Sequence, residues 1–206
     1  QLKCKDIYDE LGVRKVINGI ATVTVLGGSI MPPEVIEAMV EASKHFVNID
    51  ELQKKVGEKI AELTKNESAY VSCGAAAGLA LSTAGCITGL DPAKCARLPY
   101  TDGMKNEIII HKMNRSGYDF AIRQAGGKIV EIGNGEGTSE EDMENAINEK
   151  TAAIFYFYNI TRMKGLVPLE KGIEIAKRRG VPLIVDAAAQ IPPVENLWRF
   201  TQMGAD

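Results

Sequence analysis

The sequence predicts an α/β protein with a largely parallel sheet that helices cover on both faces. Two observations lead to this fold class. Short apolar runs alternate with helical segments along most of the chain, as in sheets built from strand–helix units. The apolar runs are also continuous rather than interrupted at every second residue, which is typical of strands that are buried on both faces.

The sequence predicts an N-terminal arm with short extended pieces over residues 1–30, and one large domain over residues 31–206. That domain opens with two helices, the first beginning at Met31–Pro33, and both carry apolar side chains at helical spacing. The apolar positions are Val35, Met39 and Val40 in the first helix, and Leu52, Val56, Ile60 and Leu63 in the second.

Strand and helix segments alternate regularly from residue 68 onward. Five apolar runs predict strands, namely SAYVSC, EIIIH, KIVEIG, TAAIFYFY and VPLIVD. The four helical segments between them are AAAGLALSTAGCITGL, YDFAIRQAG, a segment that Ser139 caps, and Leu169–Arg179. No internal repeat or low-complexity linker interrupts this order.

Composition and charge argue against several classes of protein. The chain has 206 residues, of which 45% are hydrophobic and 25% are charged, as in ordinary globular domains. The net charge of −3 gives no sign of a nucleic-acid surface, and no apolar run approaches the ~18 residues of a membrane helix. The cysteines lack CxxC spacing, which argues against a zinc site or disulfide framework and favours the cytoplasm. They are Cys4, Cys73, Cys86 and Cys95.

Four of the predicted strands end in small or polar residues. The first runs into the small-residue loop Ser72–Ala75, and three others run into His111, Asn159 and Asp186. Ligands of open α/β sheets bind in the crevice at the carboxyl ends of the strands. A loop of small residues, an imidazole, an amide and a carboxylate would therefore converge on one crevice.

Each of these features also has a purely structural interpretation. SCGAAAG is either a tight strand–helix turn or a phosphate cradle, in which Gly74 lets the backbone approach and the helix-start N–H groups face an anion. His111 is either a buried structural histidine or a ligand contact. Asn159 alone is typical of a turn, and Asp186 could cap the AAAQ segment that follows it.

Taken together and in this order, the segments resemble pyridoxal-phosphate (PLP) enzymes of fold type I. The resemblance is strongest to the branch with selenocysteine synthase and D-glucosaminate-6-phosphate ammonia-lyase, and especially to its ammonia-lyase-like members. It implies an aminotransferase-like large domain. The matching segments are VINGIATVTVLGGS, YVSCGAAAGLALSTAG, HKMNRSGYDFAIRQAGGKIVEIG and GVPLIVDAAAQIPP, and they span most of the chain from Val16 onward.

The resemblance implies a cofactor site. Gly74, Ala75 and Ala76 would bind the PLP phosphate through backbone N–H groups, although this loop offers no Thr or Ser side chain at its centre. His111 would stack on the pyridine ring, and Asn159 would hydrogen-bond to the ring hydroxyl.

Further roles follow from the same resemblance. Asp186 would pair with the pyridine nitrogen, because a carboxylate keeps that nitrogen protonated and lets the ring accept carbanion electrons. Gln190 is a further candidate near the cofactor. Apart from the resemblance, Arg115 with Tyr118 follows the His111 strand end, and the Arg115 guanidinium would bind a substrate that carries a phosphate or carboxylate. Arg162 is a weaker candidate, and Arg115 could instead be a solvated residue at a helix start.

The resemblance also implies a Schiff-base lysine that is not found in this chain. In this fold it follows the aspartate by roughly two to three dozen residues, and residues 187–206 contain no Lys. Lys164, Lys171 and Lys177 precede the Asp186 strand. We therefore expect a large domain that is incomplete at its carboxyl end, a small domain that is absent, and a fragment that is inactive by itself.

The expected function of the full-length protein is a PLP-dependent lyase in a cytoplasmic homodimer. It would eliminate ammonia from a small amino-sugar phosphate or amino acid. A selenocysteine-synthase-like transferase acting on seryl-tRNA is the alternative within the same fold, and the negative net charge counts against it. A non-catalytic fragment that binds a partner is a second alternative. A nucleotide-binding domain would need a glycine fingerprint after the first strand, which this sequence does not have.

Overall fold

The computed structural model describes residues 6–20, 22–159 and 163–206. Its internal contacts divide the chain into two compact units, residues 1–47 and residues 48–206. The predicted arm of residues 1–30 and the first predicted helix of the large domain both fall in the first unit.

The first unit combines short helices with segments that belong to no helix or strand. Helix α1 (Ile7–Leu11) begins at Asp6, whose side chain accepts hydrogen bonds from the backbone of the first turn. A 3-10 turn occupies Thr24–Leu26, within the arm for which we predicted short extended pieces such as TVTVL, so part of that piece is helical instead. Helix α2 (Pro33–Ala42) begins at a proline, which suits the first helical position because the N–H that proline lacks would have no partner within the helix there.

The second unit is built on a four-stranded sheet in the order β2-β1-β3-β4. Every neighbouring pair is parallel, which confirms the predicted parallel sheet. The central strands β1 and β3 are buried along almost their whole length, as their continuous apolar runs predicted. The strands are β1 (Glu107–His111), β2 (Lys128–Ile132), β3 (Thr151–Phe157) and β4 (Leu183–Asp186).

Helices cover both faces of this sheet, as the sequence predicted, and each face has its own apolar core. The α4 core joins α4 and α6 to alternate strand residues such as Ile108, Ile110 and Phe155. The α8 core joins α7, α8 and α9 to the residues between them, such as Ile109 and Ile154. The helices are α3 (Ile49–Thr64), α4 (Ala75–Thr88), α5 (Pro92–Cys95), α6 (Phe120–Gln124), α7 (Glu140–Ala146), α8 (Leu169–Arg179) and α9 (Asn196–Met203), with 3-10 turns at Lys112–Asn114 and Gly117–Asp119.

The segment SAYVSC is not a strand of the described sheet, contrary to the sequence prediction. Its Tyr70 and Val71 side chains are exposed, and the Val71 carbonyl accepts a hydrogen bond from the Gln53 side chain at 2.8 Å. An apolar run favours an extended backbone, but a strand also needs a neighbouring strand to satisfy its N–H and C=O groups. The described residues give this segment no such neighbour.

Candidate functional site

The predicted strand-end residues meet at one edge of the sheet. His111 is the last residue of β1, Asp186 is the last residue of β4, and Asn159 lies two residues after β3. Because all four strands run in the same direction, their carboxyl ends share this edge.

The two oxygens of the Asp186 carboxylate have different surroundings. One accepts a hydrogen bond from the Ala188 N–H at 3.0 Å, as the capping interpretation expected. The other accepts none from any residue that the structure describes. The side chain is half-buried, and its backbone is fixed because the Tyr158 N–H donates to the Asp186 carbonyl at 2.9 Å. Asp186 therefore presents a free acceptor from a rigid position.

Asp186 lies on the face of the sheet that α4 covers. Side chains alternate between faces along a strand, and Ile184, two residues before Asp186, packs in the α4 core. Phe157, which is opposite Asp186 in the strand register, packs in the same core. The Asp186 side chain is thus on the α4 side of β4.

The start of α4 lies toward the same edge as Asp186. Thr83, in the second half of α4, lies beside Gly127 at the amino end of β2, where an added methyl group would come within 3.0 Å of it. Helix α4 also contacts the Gly117–Asp119 turn, which follows the carboxyl end of β1. The helix therefore runs from the carboxyl edge to the amino edge, with Gly74 at the carboxyl edge.

The first turn of α4 has open backbone N–H groups. Gly74 precedes the helix with φ +124° and ψ 172°, a conformation that residues with a Cβ rarely adopt. No side chain caps this helix, because the Ser72 hydroxyl donates to the Gly74 carbonyl at 3.1 Å instead. Gly74, Ala75 and Ala76 are exposed. Uncapped N–H groups at the positive end of a 14-residue helix can bind an anion such as a phosphate.

The His111 ring lies on the opposite face of the sheet. Its register partner Ile132 belongs to the α8 core, and its ring contacts Tyr156 edge-on with centroids 5.2 Å apart. The side chain is fully buried, and neither ring nitrogen has a partner among the described residues. Burial lowers the pKa of His111 to about 4, so the ring is neutral at pH 7.

The Arg115 guanidinium is bound by two carboxylates. It donates to the buried Asp119 through Nε at 2.5 Å and Nη2 at 3.1 Å, and to Glu131 through Nη1. Burial alone would raise the pKa of the Asp119 carboxyl, but the hydrogen bond and charge of Arg115 outweigh it and lower that pKa. Tyr118 is exposed on the neighbouring 3-10 turn. A substrate anion would have to compete with these carboxylates for Arg115.

Asn159 and Gln190 lie half-buried at the same edge of the sheet as Asp186. Gln190 closes the turn after β4, because its N–H donates to the Ala187 carbonyl at 3.1 Å. Its own carbonyl accepts from the Asn196 side chain at 2.6 Å. Arg162 lies outside the described residues.

The sequence analysis missed Asn114. This buried residue ends the 3-10 turn after β1, and its side-chain amide forms two hydrogen bonds with the backbone of Phe157. No pattern in the sequence distinguishes Asn114 from an ordinary turn asparagine, because its partner is 43 residues away.

Two other findings bear on the predicted class of protein. No helix in the described part of the chain is long and apolar enough to cross a membrane. Cys73, Cys86 and Cys95 are free thiols, and burial raises the pKa of Cys86 to about 11, so that thiol is unreactive at neutral pH.

No protein-family model matches the chain. The chain is 38% identical to D-glucosaminate-6-phosphate ammonia lyase from Salmonella typhimurium, over 98% of this chain and 55% of that enzyme. A solved structure of D-glucosaminate-6-phosphate ammonia-lyase matches it with a TM-score of 0.91, again over 98% of this chain and 55% of the other. The chain is a homologue of this lyase within the fold-type-I PLP enzymes. The predicted resemblance is thereby confirmed.

Two further curated relatives of this chain are named as enzymes other than an ammonia lyase. It is 36% identical to a 5'-C-glycyluridine monooxygenase-decarboxylase from Streptomyces, over 97% of this chain and 51% of that protein. It is 30% identical to an L-seryl-tRNA(Sec) selenium transferase from Nitratidesulfovibrio vulgaris, over 84% of this chain and 38% of that protein. The chain thus spans about half the length, or less, of the curated relatives it matches.

The aminotransferase-like fold is also confirmed by a more distant structure. Alanine aminotransferase from Pyrococcus furiosus matches 79% of this chain with a TM-score of 0.52 and 22% identity. At that identity the match supports the fold alone.

Proposed function

We propose that the protein containing this chain is a PLP-dependent lyase that eliminates ammonia from a small amino-sugar phosphate or amino acid. One juxtaposition carries the proposal. The Asp186 carboxylate, which keeps one oxygen without a hydrogen bond among the described residues, lies on the same face and at the same edge of the sheet as the uncapped start of α4. The 38% identity to D-glucosaminate-6-phosphate ammonia lyase supports the choice of a lyase.

The groups at this edge meet the chemical demands of PLP. A phosphate needs several N–H donors, and the first turn of α4 offers them at Gly74, Ala75 and Ala76 with the helix dipole behind them. A pyridine nitrogen needs a carboxylate, and Asp186 keeps one oxygen free among the described residues. When bound, PLP supplies an electron sink for a carbanion on the substrate.

The other predicted residues have subordinate roles in the proposal. Asp186 would hold a proton on the ring nitrogen, Asn159 would donate to the ring hydroxyl, and Gln190 would approach the cofactor. His111 would act as the second catalytic group by stacking on the ring. That role requires a change of its side-chain position, because its ring packs against Tyr156 on the α8 side of β1.

Arg115 and Tyr118 would bind the anionic part of the substrate. The exposed Glu131 is the carboxylate that a doubly charged phosphate would displace more readily, because the buried Asp119 holds Arg115 through two bonds. Displacing Glu131 would free Nη1 of Arg115 while the guanidinium stays oriented by Asp119.

We also propose a cytoplasmic homodimer. Free cysteines support a reducing compartment. Large apolar side chains that are fully exposed in this chain, such as Ile17 and Phe46, support a further protein surface that covers them. The small-molecule substrate and the absence of nucleic acid from the reaction are part of the same proposal.

The proposal is tested with the purified full-length gene product. After incubation with PLP and removal of the free cofactor, it should retain PLP and release ammonia from D-glucosaminate 6-phosphate. Failure to retain PLP would overturn the cofactor assignment, and PLP retention without ammonia release from amino-sugar phosphates or amino acids would overturn the lyase. Salt-dependent binding of tRNA would instead favour the transferase.

A further inference from the structure

Asn114 is a buried polar residue that the proposed function leaves without a role. It ends the 3-10 turn Lys112–Asn114, directly after β1, and its side chain is turned toward β3. The amide Nδ2 donates to the Phe157 carbonyl at 2.8 Å, and Oδ1 accepts from the Phe157 N–H at 2.9 Å. One side chain thus satisfies both backbone groups of one strand residue.

These two hydrogen bonds take the place of backbone pairing that β1 does not provide at the carboxyl end of β3. The pairing of β1 with β3 ends at Ile110 and Phe155, because the chain then turns away from β3. Phe157 is two residues further along β3, so its N–H and C=O point to the side that β1 has left. The primary amide of Asn114 offers one donor and one acceptor there, as a strand residue would.

Phe157, whose backbone is hydrogen-bonded to Asn114, lies next to the candidate site. On its other side β3 pairs with β4, where Phe157 is opposite Asp186 and the Tyr158 N–H donates to the Asp186 carbonyl at 2.9 Å. Asn159 follows two residues after Phe157. A loss of order at Phe157 would therefore reach Asp186 through one backbone hydrogen bond.

We propose that Asn114 is a positioning residue for this edge of the sheet: it fixes the carboxyl end of β3 and, through it, the backbone that carries Asn159 and Asp186. This inference rests on the proposed function for its consequence, since a carboxylate must be held in place to meet a cofactor nitrogen. Its structural part, the ordering of residues 157–159 and 186, stands independently of any cofactor.

A matched control residue lies at the amino end of β1, the strand whose carboxyl end precedes Asn114. Asn106 directly precedes β1, is equally buried, and donates through its amide to the Thr101 carbonyl at 3.3 Å and hydroxyl at 2.9 Å. Loss of either asparagine amide removes two buried hydrogen bonds. Only the loss of Asn114 affects the edge that carries Asp186.

The experiment compares N114A, N114D and N106A in the full-length protein, by hydrogen exchange without cofactor and by PLP affinity and visible absorption with it. In N114A we expect about tenfold faster exchange at Tyr158, whose N–H bonds to Asp186. We also expect roughly tenfold weaker PLP binding and a changed absorption band. N106A should lower the unfolding temperature comparably and leave exchange at Tyr158, PLP affinity and absorption unchanged.

N114D separates positioning from simple packing. Aspartate has nearly the same shape as asparagine, so a packing role makes N114D milder than N114A. A carboxylate cannot donate to the Phe157 carbonyl, so a positioning role makes N114D at least as impaired as N114A. N114D also carries the comparison if N114A does not fold.

Unchanged exchange at Tyr158 in both Asn114 variants would overturn the proposal, as would an N106A variant that weakens PLP binding equally. If the unmodified protein does not bind PLP, the cofactor assignment fails, and the exchange data still decide whether Asn114 orders this edge.

Discussion

At the scale of single residues, Asp186 and His111 show how differently two strand-end residues can be placed. Both are terminal residues of strands in the same sheet, yet their side chains fall on opposite faces. Asp186 keeps an oxygen without a hydrogen bond among the described residues, on the face of the sheet that α4 covers, whereas His111 is buried on the α8 side with neither ring nitrogen bonded to a described residue. The parity of a residue in its strand decides this difference.

Replacing Asp186 by asparagine should weaken PLP binding by the full-length protein. An amide cannot keep the ring nitrogen protonated, and a charge-assisted hydrogen bond contributes about 1.5–3 kcal/mol, so we expect a roughly 10- to 100-fold loss of affinity. Fluorescence titration with PLP measures it. D142N is the control, because Asp142 is exposed in the capping box of α7, and its replacement should leave PLP affinity unchanged. Wild-type affinity in D186N would contradict the assignment.

The buried His111 should make stability depend on pH. Its folded pKa of about 4 lies below the ~6.5 of an unfolded histidine, so the unfolded state binds the proton first as the pH falls. The stability associated with the neutral ring is complete above pH ~6.5 and is lost as the pH falls toward 4, by up to about 3 kcal/mol.

Urea unfolding of H111F between pH 4 and pH 7 tests this expectation. The variant should have a flatter pH dependence than the unmodified protein, because phenylalanine takes up no proton. H45Q is the control, since it removes a histidine whose side chain is exposed rather than buried. An H111F variant with the original slope would show that His111 is not the group responsible.

At the scale of secondary structure elements, hydrophobic patterning predicted most of the sheet, and pairing decided the rest. EIIIH and TAAIFYFY are continuous apolar runs and form the buried central strands. SAYVSC has a similar composition but lies outside the described sheet, because strand pairing is a relation between distant segments. At the β4 edge of the sheet, the Asp206 N–H donates to the Leu183 carbonyl at 3.0 Å.

Replacing Gly74 by alanine should destabilise the start of α4 and weaken phosphate binding there. Open space surrounds Gly74, but its φ of +124° is strained for any residue with a Cβ, at a cost of about 1–2 kcal/mol. Urea unfolding and PLP titration measure the two effects. G78A is the control, because Gly78 is within the helix at an ordinary φ with open space around it. G78A should be neutral or slightly stabilising; equal losses in both variants would contradict this account.

At the scale of the whole molecule, the chain divides into two compact units, and among the described residues the second unit contains two apolar cores. The residues of the candidate site all belong to the second unit. Large apolar side chains remain exposed, for example Ile30 at 98% and Leu90 at 101%. A surface of this kind is typical of a chain that packs against further protein.

We therefore expect the full-length protein to be a dimer in solution. Burial of exposed apolar side chains between two subunits would provide the driving force. Size-exclusion chromatography with light scattering, performed over a range of concentrations, should give twice the subunit mass. A single-subunit mass at every concentration would refute the homodimer.

The sequence by itself determined the fold class, the largely parallel arrangement of the sheet and the branch of PLP enzymes, because these depend on local pattern and on motif order. Tertiary structure alone decided three matters: the side of the sheet on which His111 lies, the carboxylates that bind Arg115, and the hydrogen bonds between Asn114 and Phe157. Each depends on strand register or on a contact between residues far apart in the chain. Such relations are set by packing, and no local pattern encodes them.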